Sequence, residues 1–276
     1  MATLRLADAV DQIHLRLFTA AVIEIKAGDW NTRNVCDPFW RFYLNERDGA
    51  SLELEDRSVP LRAGALYIVP EGVHFSCANS LAVKHFFIHL DLLGVPRPIL
   101  QQLFGAPIEI DGTSDLAREA SLLRGLLETT EAFTISLQCR AKALLFGCLG
   151  HIFQLSERQN LAQYPRLSAH HAPILPALEW IESHLDEKIS NRLLARLCHW
   201  SEDHFARRFS ECVGQSPGSY IRSRRIAVAS QQLLFSSKSI EQIAQESGFA
   251  NRFHFSRAFS RDKKSTPAAY RKTTRV

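Results

Sequence analysis

The chain has 276 residues, enough for two domains of ordinary size, and 46% of them are hydrophobic, as is usual for a globular protein. No run approaches the ~20 consecutive apolar residues of a membrane span, and the first ten residues lack the apolar stretch of a signal peptide, so we expect a soluble, cytoplasmic protein. The net charge of +4 divides into about +7 from Ala172 onward and −3 before it. That distribution suggests a polyanionic partner for the C-terminal part, although a basic soluble surface explains it equally well.

Residues from about 10 to 112 have the pattern of a β-rich domain. The segment 40–45 alternates, so that its even-numbered and odd-numbered residues face opposite sides of a sheet. Further strands are predicted at 51–55, 65–70 and 85–90, with turn residues at 47–49, 62–64 and 70–72. Many short strands with regular turns predict a sandwich or a small barrel.

The pattern changes to helical spacing over residues 115–156. Residues 128–134 are rich in β-branched side chains and are predicted to join two amphipathic helices. The apolar stripes of these helices need a partner, which could be the strands, each other or a second subunit. The polar, proline-containing segment 161–173 is predicted to be a linker between a domain at 1–160 and a domain at 174–276.

The C-terminal part contains a repeat with an offset of 50 residues. His204, Arg207, Phe209, Pro217 and Tyr220 recur as His254, Arg257, Phe259, Pro267 and Tyr270. Each copy predicts a short apolar helix, a turn, and a second helix that buries two phenylalanines four residues apart. This layout is typical of a helix-turn-helix unit, whose second helix lies in the major groove of DNA. A helical repeat that packs against protein fits the generic pattern as well.

The segments 240–259, 266–271 and 214–226 resemble the signature of AraC/XylS-type transcription regulators. The resemblance covers roughly residues 175–271 and implies a seven-helix DNA-binding domain, in which one rigid helix at about 217–234 joins two helix-turn-helix units. These units would enter successive major grooves on one face of the DNA. The predicted DNA contacts are Ser201, Glu202, His204, Arg207, Arg208, Asn251, Arg252, His254, Arg257, Arg261 and Lys264.

Two features of the repeat depart from a simple pair of basic helices. Glu202 and Asp203 make the first recognition helix less basic than the second. Lys264 stands where the family often has Gly and where the first copy has Gly214, so the lysine must adopt the backbone geometry that a glycine eases. Lys264 is also a candidate phosphate contact.

The strand-rich half resembles the cupin-type sensing domain of the arabinose-responsive branch, on segments 70–75 and 86–90. That resemblance implies a small barrel that binds a small molecule, followed by helices that dimerise. The candidate ligand-binding residues are Trp30, Arg41, Tyr43, Asn45, His74, His85 and His89, with Glu24 as a further candidate. Polar and aromatic groups on an inner barrel face suit a hydroxylated ligand, so a sugar or a similar polar metabolite is favoured. Alternatively, Arg41 and His85 face solvent while the even-numbered residues of 40–45 fill the core, and periodicity does not decide between the two.

The alternative function is a cupin-type metalloenzyme fused to a DNA-binding domain. His74, His85 and His89 lie near Glu71, but four residues of strand separate His85 from His89 by about 13 Å, too far to share one metal ion. The six cysteines form no Cys-X-X-Cys pair and are predicted to be reduced core thiols. We therefore predict no metal, no cofactor and no catalytic residue.

The predicted fold class is α+β with two domains: a cupin-like β-barrel followed by a helical dimerisation segment, and an all-α domain with two helix-turn-helix units. The predicted function is a sequence-specific transcription regulator controlled by a small-molecule ligand. The expected partners are double-stranded DNA, a small-molecule effector and a second copy of the chain, with RNA polymerase as a further candidate.

Overall fold

The computed structural model describes residues 13–130, 132–159 and 170–273, and the chain divides into two compact units between residues 162 and 163. The described residues of the first unit form eight strands and three α-helices, and those of the second form seven α-helices. Within these ranges, no helix has both the length and the apolar character that crossing a membrane requires.

Two antiparallel sheets form the body of the first unit. The strands are β1 (His14–Ile25), β2 (Trp40–Asn45), β3 (Ala50–Glu53), β4 (Ser58–Leu61), β5 (Leu66–Val69), β6 (Ser76–Asn79), β7 (Val83–Leu93) and β8 (Ile108–Ile110). One sheet has the order β1-β7-β2-β5-β8, and the other has the order β4-β3-β6. The strand-rich character predicted for this region is therefore confirmed.

One face of the five-stranded sheet packs against the three-stranded sheet. The register pairs Arg41 with His89, Tyr43 with Phe87 and Asn45 with His85. Residues paired in this way point to the same face of a sheet. Tyr43 shares a buried core with Leu52 of β3 and Cys77 of β6, so this is the inner face, between the two sheets.

Helices cover the opposite face of the five-stranded sheet. They are α1 (Arg97–Leu103), α2 (Asp115–Glu128) and α3 (Ile135–Gln159). Trp40 of β2 packs edge to face on Phe104, just after α1, and Phe104 packs edge to face on Phe153 of α3. All six residues of β2 are buried. The alternative in which Arg41 and His85 face solvent is therefore wrong, because both side chains are buried.

Helix α1 lies inside the region predicted to be strands, so the prediction is wrong for this segment. Pro98 stands in the first turn of the helix, where the fixed φ of proline and its missing N–H are tolerated. Ile99, Leu100 and Phe104 are buried. Their spacing of one and four residues is the helical signal that the strand prediction overlooked.

The predicted pair of helices after the strands is confirmed, since α2 ends at Glu128 and α3 begins at Ile135. The buried side of α3 repeats at helical spacing, through Leu137, Ala141, Leu144 and Cys148. Cys139 lies away from this stripe and is exposed. The prediction of a core thiol is therefore wrong for Cys139.

The second unit is a bundle of short helices. They are α4 (Leu175–Ser183), α5 (Asn191–Leu197), α6 (Glu202–Val213), α7 (Pro217–Phe235), α8 (Ile240–Glu246), α9 (Arg252–Lys263) and α10 (Pro267–Thr273). We call α5–α6 the first helix pair and α8–α9 the second helix pair. Each pair has its own core, built on Phe205 and Phe209 in the first and on Phe255 and Phe259 in the second. The connecting helix predicted at about 217–234 is confirmed as α7.

The predicted linker, 161–173, falls mostly outside the described residues, which resume at His170. His171 and Ile174 are buried. The thiol of Cys212 donates a hydrogen bond to the backbone carbonyl of His170, with an Sγ to O distance of 3.4 Å. Residues 170–174 therefore pack as part of the second unit.

Candidate nucleic-acid interface and ligand site

The two helix pairs turn in the same way. The backbone N–H of Trp200 donates to the carbonyl of Ala195 in the first pair, and that of Phe249 donates to Ala244 in the second, both at 2.9 Å. These matching residues are 49 positions apart, whereas the helices that follow match at 50. The extra residue is Ala250, in the turn of the second pair.

Ser201 and Asn251 cap the second helix of each pair, as their preference for this position predicts. The Ser201 hydroxyl accepts a hydrogen bond from the backbone N–H of His204 at 3.4 Å, and the Asn251 side chain accepts one from His254 at 2.8 Å. The rings of both histidines pack edge to face on the aromatic residue of the preceding turn. His204 and His254, which are both predicted DNA contacts, therefore also hold the preceding turn against the helix.

The exposed face of α9 is basic. Arg257, Arg261 and Lys264 are exposed and follow one another at helical spacing, and we call these three residues the basic row. Arg252, at the start of α9, is exposed as well. In the part of the chain that the structure describes, no acidic side chain pairs with Arg257 or Arg261. Their guanidinium groups are therefore available to an external anion or to base edges.

The matching face of α6 carries a different charge pattern. Asp203, Arg207 and Glu211 occupy the row that corresponds to positions 253, 257 and 261 of α9. Arg208 forms an ion pair with Glu211, with 2.5 Å between Nη1 and Oε2. Glu202 adds a second acidic group to the first turn of α6. The two candidate recognition helices therefore present unequal positive charge.

Helix α7 is anchored to α4 through a buried charge. The Arg224 guanidinium donates to both carboxylate oxygens of Glu182, with 2.7 Å from Nε to Oε1 and 3.1 Å from Nη2 to Oε2. The Tyr220 hydroxyl donates to the same Oε1 at 3.2 Å. A two-point contact of this kind fixes orientation as well as distance. It holds α4 in a defined position against the helix that connects the two pairs.

Lys264 ends α9 in the left-handed region, with φ 53°, where Gly214 ends α6 with φ 76°. This conformation is less stable by roughly 1–2 kcal/mol for a residue with a Cβ atom. Lys264 therefore adopts the unfavourable backbone geometry that the comparison with Gly214 predicts. We expect Lys264→Gly to raise the free energy of unfolding by about 0.5–1 kcal/mol. The gain is smaller than the strain that is removed, because glycine also gives the unfolded chain more conformational freedom. Urea unfolding of the full chain measures the change.

The reciprocal variant is the control for this prediction. Gly214→Ala places a Cβ where no other atom lies within 4 Å, so its effect comes from the backbone alone. We expect it to lower the free energy of unfolding by about 1 kcal/mol. A Lys264→Gly protein that is no more stable than the parent would contradict the assignment of strain to this residue.

Most of the predicted ligand-binding residues lie on the inner face of the five-stranded sheet. Arg41 is buried, forms an ion pair with Asp37, and places its guanidinium carbon 4.3 Å from the centre of the Phe39 ring. Tyr43 is buried beside it, and burial raises the pKa of its hydroxyl above the ordinary value. Arg41 and Tyr43 therefore contribute a paired charge and a neutral hydroxyl to this face.

The inner face also holds a hydrogen-bonded amide and imidazole. Asn45 Oδ1 lies 2.7 Å from His85 Nδ1. Burial lowers the pKa of His85 to about 3, so its ring is neutral at pH 7 and its Nδ1–H donates to Asn45 with the amide oriented in this way. The amide nitrogen of Asn45 is buried without a hydrogen-bond partner among the described residues. An unused buried donor is costly, and a ligand acceptor would relieve that cost.

Aromatic rings form a continuous row along β7. His85, Phe87 and His89 follow one another with ring centres 5.6 and 4.8 Å apart. Trp30 packs on His85 at 4.5 Å, and Phe39 packs on His89 at 4.9 Å. We call these five residues the aromatic ladder. Trp30 and Phe87 are only half-buried, so one edge of the ladder is open to solvent.

Two of the sequence candidates lie outside this group. His74 and Glu24 are exposed, and the structure does not bring them to the inner face. His74 lies in the segment before β6, and its neighbours Val73 and Phe75 are the residues of this segment whose side chains are buried.

Sequence reasoning missed a buried charged cluster. Arg97 contacts the carboxylates of Asp91 and Glu71, with 2.7 Å from Nη2 to Asp91 Oδ1, and all three residues are buried. Asp91 continues the alternation of His85, Phe87 and His89 along β7, and this spacing is the signal that could have added it to the inner face.

The structure gives no support to the metal-binding alternative. His85 and His89 stand on either side of the Phe87 ring, which separates their imidazoles. Within the described ranges, no group of three or more His, Cys, Asp or Glu side chains is placed to hold a metal ion.

A family model described as a helix-turn-helix domain matches residues 194–273. This segment contains both turns, both candidate recognition helices and α7. The chain is also 32% identical over 103 residues to the regulatory protein SoxS of Salmonella typhimurium, a match that covers 37% of this chain and 96% of SoxS.

Two further comparisons concern longer proteins. The chain is 42% identical over 94 residues to the uncharacterised HTH-type transcriptional regulator YbfP of Bacillus subtilis, covering 34% of this chain and 32% of YbfP. The chain therefore spans about a third of that relative. The crystal structure of unsaturated fatty acid bound wild-type ToxT from Vibrio cholerae matches with a TM-score of 0.53 and 14% identity, over 94% of this chain and 96% of ToxT. This likeness concerns the fold alone, in both units.

Proposed function

Because this chain belongs to the AraC/XylS family of transcription regulators, we propose that it binds specific DNA sequences through both helix pairs under the control of a small molecule. The observation that carries the proposal is the basic row of α9, whose arginines have no acidic partner among the described residues. It stands on the helix whose N-terminal cap and turn match those of a helix-turn-helix unit. The eleven predicted DNA contacts are retained as the proposed contact set.

The length of α7 supports the engagement of two grooves by one chain. A helix of 19 residues is about 28 Å long at ~1.5 Å per residue. Successive major grooves on one face of DNA are roughly 34 Å apart. With α6 preceding α7 and α9 following it, the connecting helix has about the span that two adjacent grooves need.

Selection of binding sites from random duplex DNA by the full chain tests this proposal. We expect an enriched sequence that the chain retards on a gel more strongly than scrambled DNA. The affinity should fall steeply between 50 and 200 mM salt, because Lys and Arg release counterions from phosphates. No retardation at any salt concentration would overturn the proposed function.

We further propose that the aromatic ladder and Asn45 bind the effector, and that the effector is a sugar or a similar hydroxylated metabolite. Aromatic faces such as Trp30 stack on the apolar face of a sugar ring, and the unused amide donor of Asn45 suits a ligand oxygen. Because ToxT binds an unsaturated fatty acid, fatty acids are the competing ligand class. The half-buried Phe87 gives that competitor an apolar surface to contact.

Thermal unfolding of the full chain with panels of sugars, small acids and unsaturated fatty acids tests the effector site. At a hundredfold excess over Kd, a bound ligand stabilises the folded state by about 2.7 kcal/mol, which corresponds to a shift of several degrees. We expect Trp30→Ala to abolish the shift and the exposed His74→Ala to keep it. A shift with fatty acids alone would replace the sugar proposal, and no shift with any ligand would remove the sensing role.

A homodimer through α2 and α3 is also part of the proposal. Leu122 is 62% exposed and Leu126 40% exposed on α2, while Phe146 is 44% exposed on α3. Exposed apolar side chains on neighbouring helices favour contact with a second copy of the chain. Sedimentation of the full chain at micromolar concentration tests this, and a monomer throughout would contradict it.

A further inference from the structure

Phe253 is a large apolar side chain that the fold leaves in solvent. It is the second residue of α9 and is 80% exposed. The other exposed large apolar side chains of the described residues lie in the first unit. An exposed phenylalanine on an otherwise polar and basic helix face calls for a specific explanation.

The core of the second helix pair does not account for Phe253. Phe255 and Phe259 fill that core and are fully buried. The matching position of the first helix pair is Asp203, which is exposed. Since the same helix-turn-helix geometry forms with an aspartate at this position, the fold itself does not require an apolar residue there.

Phe253 lies on the same face of α9 as the basic row. Phe253, Arg257 and Arg261 follow one another at intervals of four residues, so Phe253 heads the basic row. Its place near the N-terminal cap Asn251 is the part of a recognition helix that reaches base edges. In the major groove, the C5-methyl group of thymine is the apolar feature that distinguishes one base from the others.

We propose that Phe253 packs against the C5-methyl group of a thymine in the site bound by α9, and so determines sequence specificity at that position. This inference rests on the proposed DNA-binding function. The basic row supplies the attraction to phosphates and the reading of further bases, and Phe253 adds an apolar contact that Asp203 cannot make at the matching place in α6.

Replacement of single thymines by deoxyuridine in the selected site tests the proposal, because the replacement removes only the methyl group. For the full chain, we expect one replacement to weaken binding by about three- to fivefold, the effect of losing one buried methyl group. For Phe253→Ser, the same replacement should make no difference. Phe253→Leu, which keeps an apolar side chain, should retain part of the sensitivity.

Arg261→Ala is the matched control on the same row. It should weaken binding to both forms of the site and keep the difference between thymine and deoxyuridine. Sequence-selective binding that is insensitive to every replacement, or equally sensitive with and without Phe253, would overturn this inference and leave the proposed function standing. Failure to select any site would overturn the proposed function itself. Loss of self-association in Phe253→Ser, with thymine sensitivity unchanged, would assign the side chain to a protein contact instead.

Discussion

Replacing Gly248 by alanine is expected to lower the free energy of unfolding by about 3 kcal/mol and to abolish DNA binding. Gly248 lies in the turn of the second helix pair with φ 75°, where a Cβ atom costs about 1–2 kcal/mol. A Cβ at this position would overlap the backbone carbonyl oxygen of Leu185 and lie 2.8 Å from the guanidinium carbon of Arg225. Overpacking of this kind adds about 1–3 kcal/mol.

The obstacle cannot move aside easily, because it is itself held in place. Arg225 of α7 donates to the carbonyl of Leu185 at 2.8 Å and to that of Glu187 at 2.5 Å. The connection between α4 and α5, the helix α7 and the turn of the second helix pair therefore meet at Gly248. A displaced turn would move α9 relative to α7 and so disturb the spacing that two grooves require.

Gly214→Ala is the matched control for this prediction. Gly214 has nearly the same φ, 76°, but no atom lies within 4 Å of the position that its Cβ would occupy. We expect a loss of about 1 kcal/mol and retained DNA binding. Urea unfolding and gel retardation of the full chain measure both variants, and equal losses in the two would show that only the backbone conformation matters.

The helical repeat was predictable because the same pattern of residues occurs twice and each copy folds in the same way. Phe209 packs edge to face on Tyr220, and Phe259 packs edge to face on Tyr270, so residues that match in sequence also match in contact. The special geometry of Lys264 followed from the same comparison with Gly214. Phe253 could have been found in this way too, by asking what stands opposite Asp203.

The inner face of the first unit was less predictable, because both faces of β2 are buried. Alternation separates two faces but does not say what covers each of them. The cluster of Glu71, Asp91 and Arg97 could not be predicted for a different reason. Its ion pairs join a turn, a strand and the start of a helix, and no sequence pattern shows which charged residues pair with one another.

The second large effect concerns the unequal charge of the two candidate recognition helices. Arg257→Ala should weaken binding to the selected site by about 10- to 100-fold, the effect of one lost bidentate base contact. Arg207→Ala, at the matching position of α6, should weaken it by less than about threefold. Asp203 and Glu211 stand one turn before and one turn after Arg207, so their negative charges lower the positive potential of this face and repel phosphates.

The two arginines can be compared directly, since they occupy the same place in two copies of one structure. Affinities are measured by gel retardation on the selected site and on scrambled DNA at several salt concentrations. A loss with Arg257→Ala that is larger on the selected site assigns base reading to Arg257, and an equal loss on both assigns a phosphate contact. Asp203→Asn should strengthen binding, because it removes a negative charge from the face of α6. If Arg207→Ala costs as much as Arg257→Ala, the charge pattern does not rank the two helices, and both pairs contribute equally to affinity.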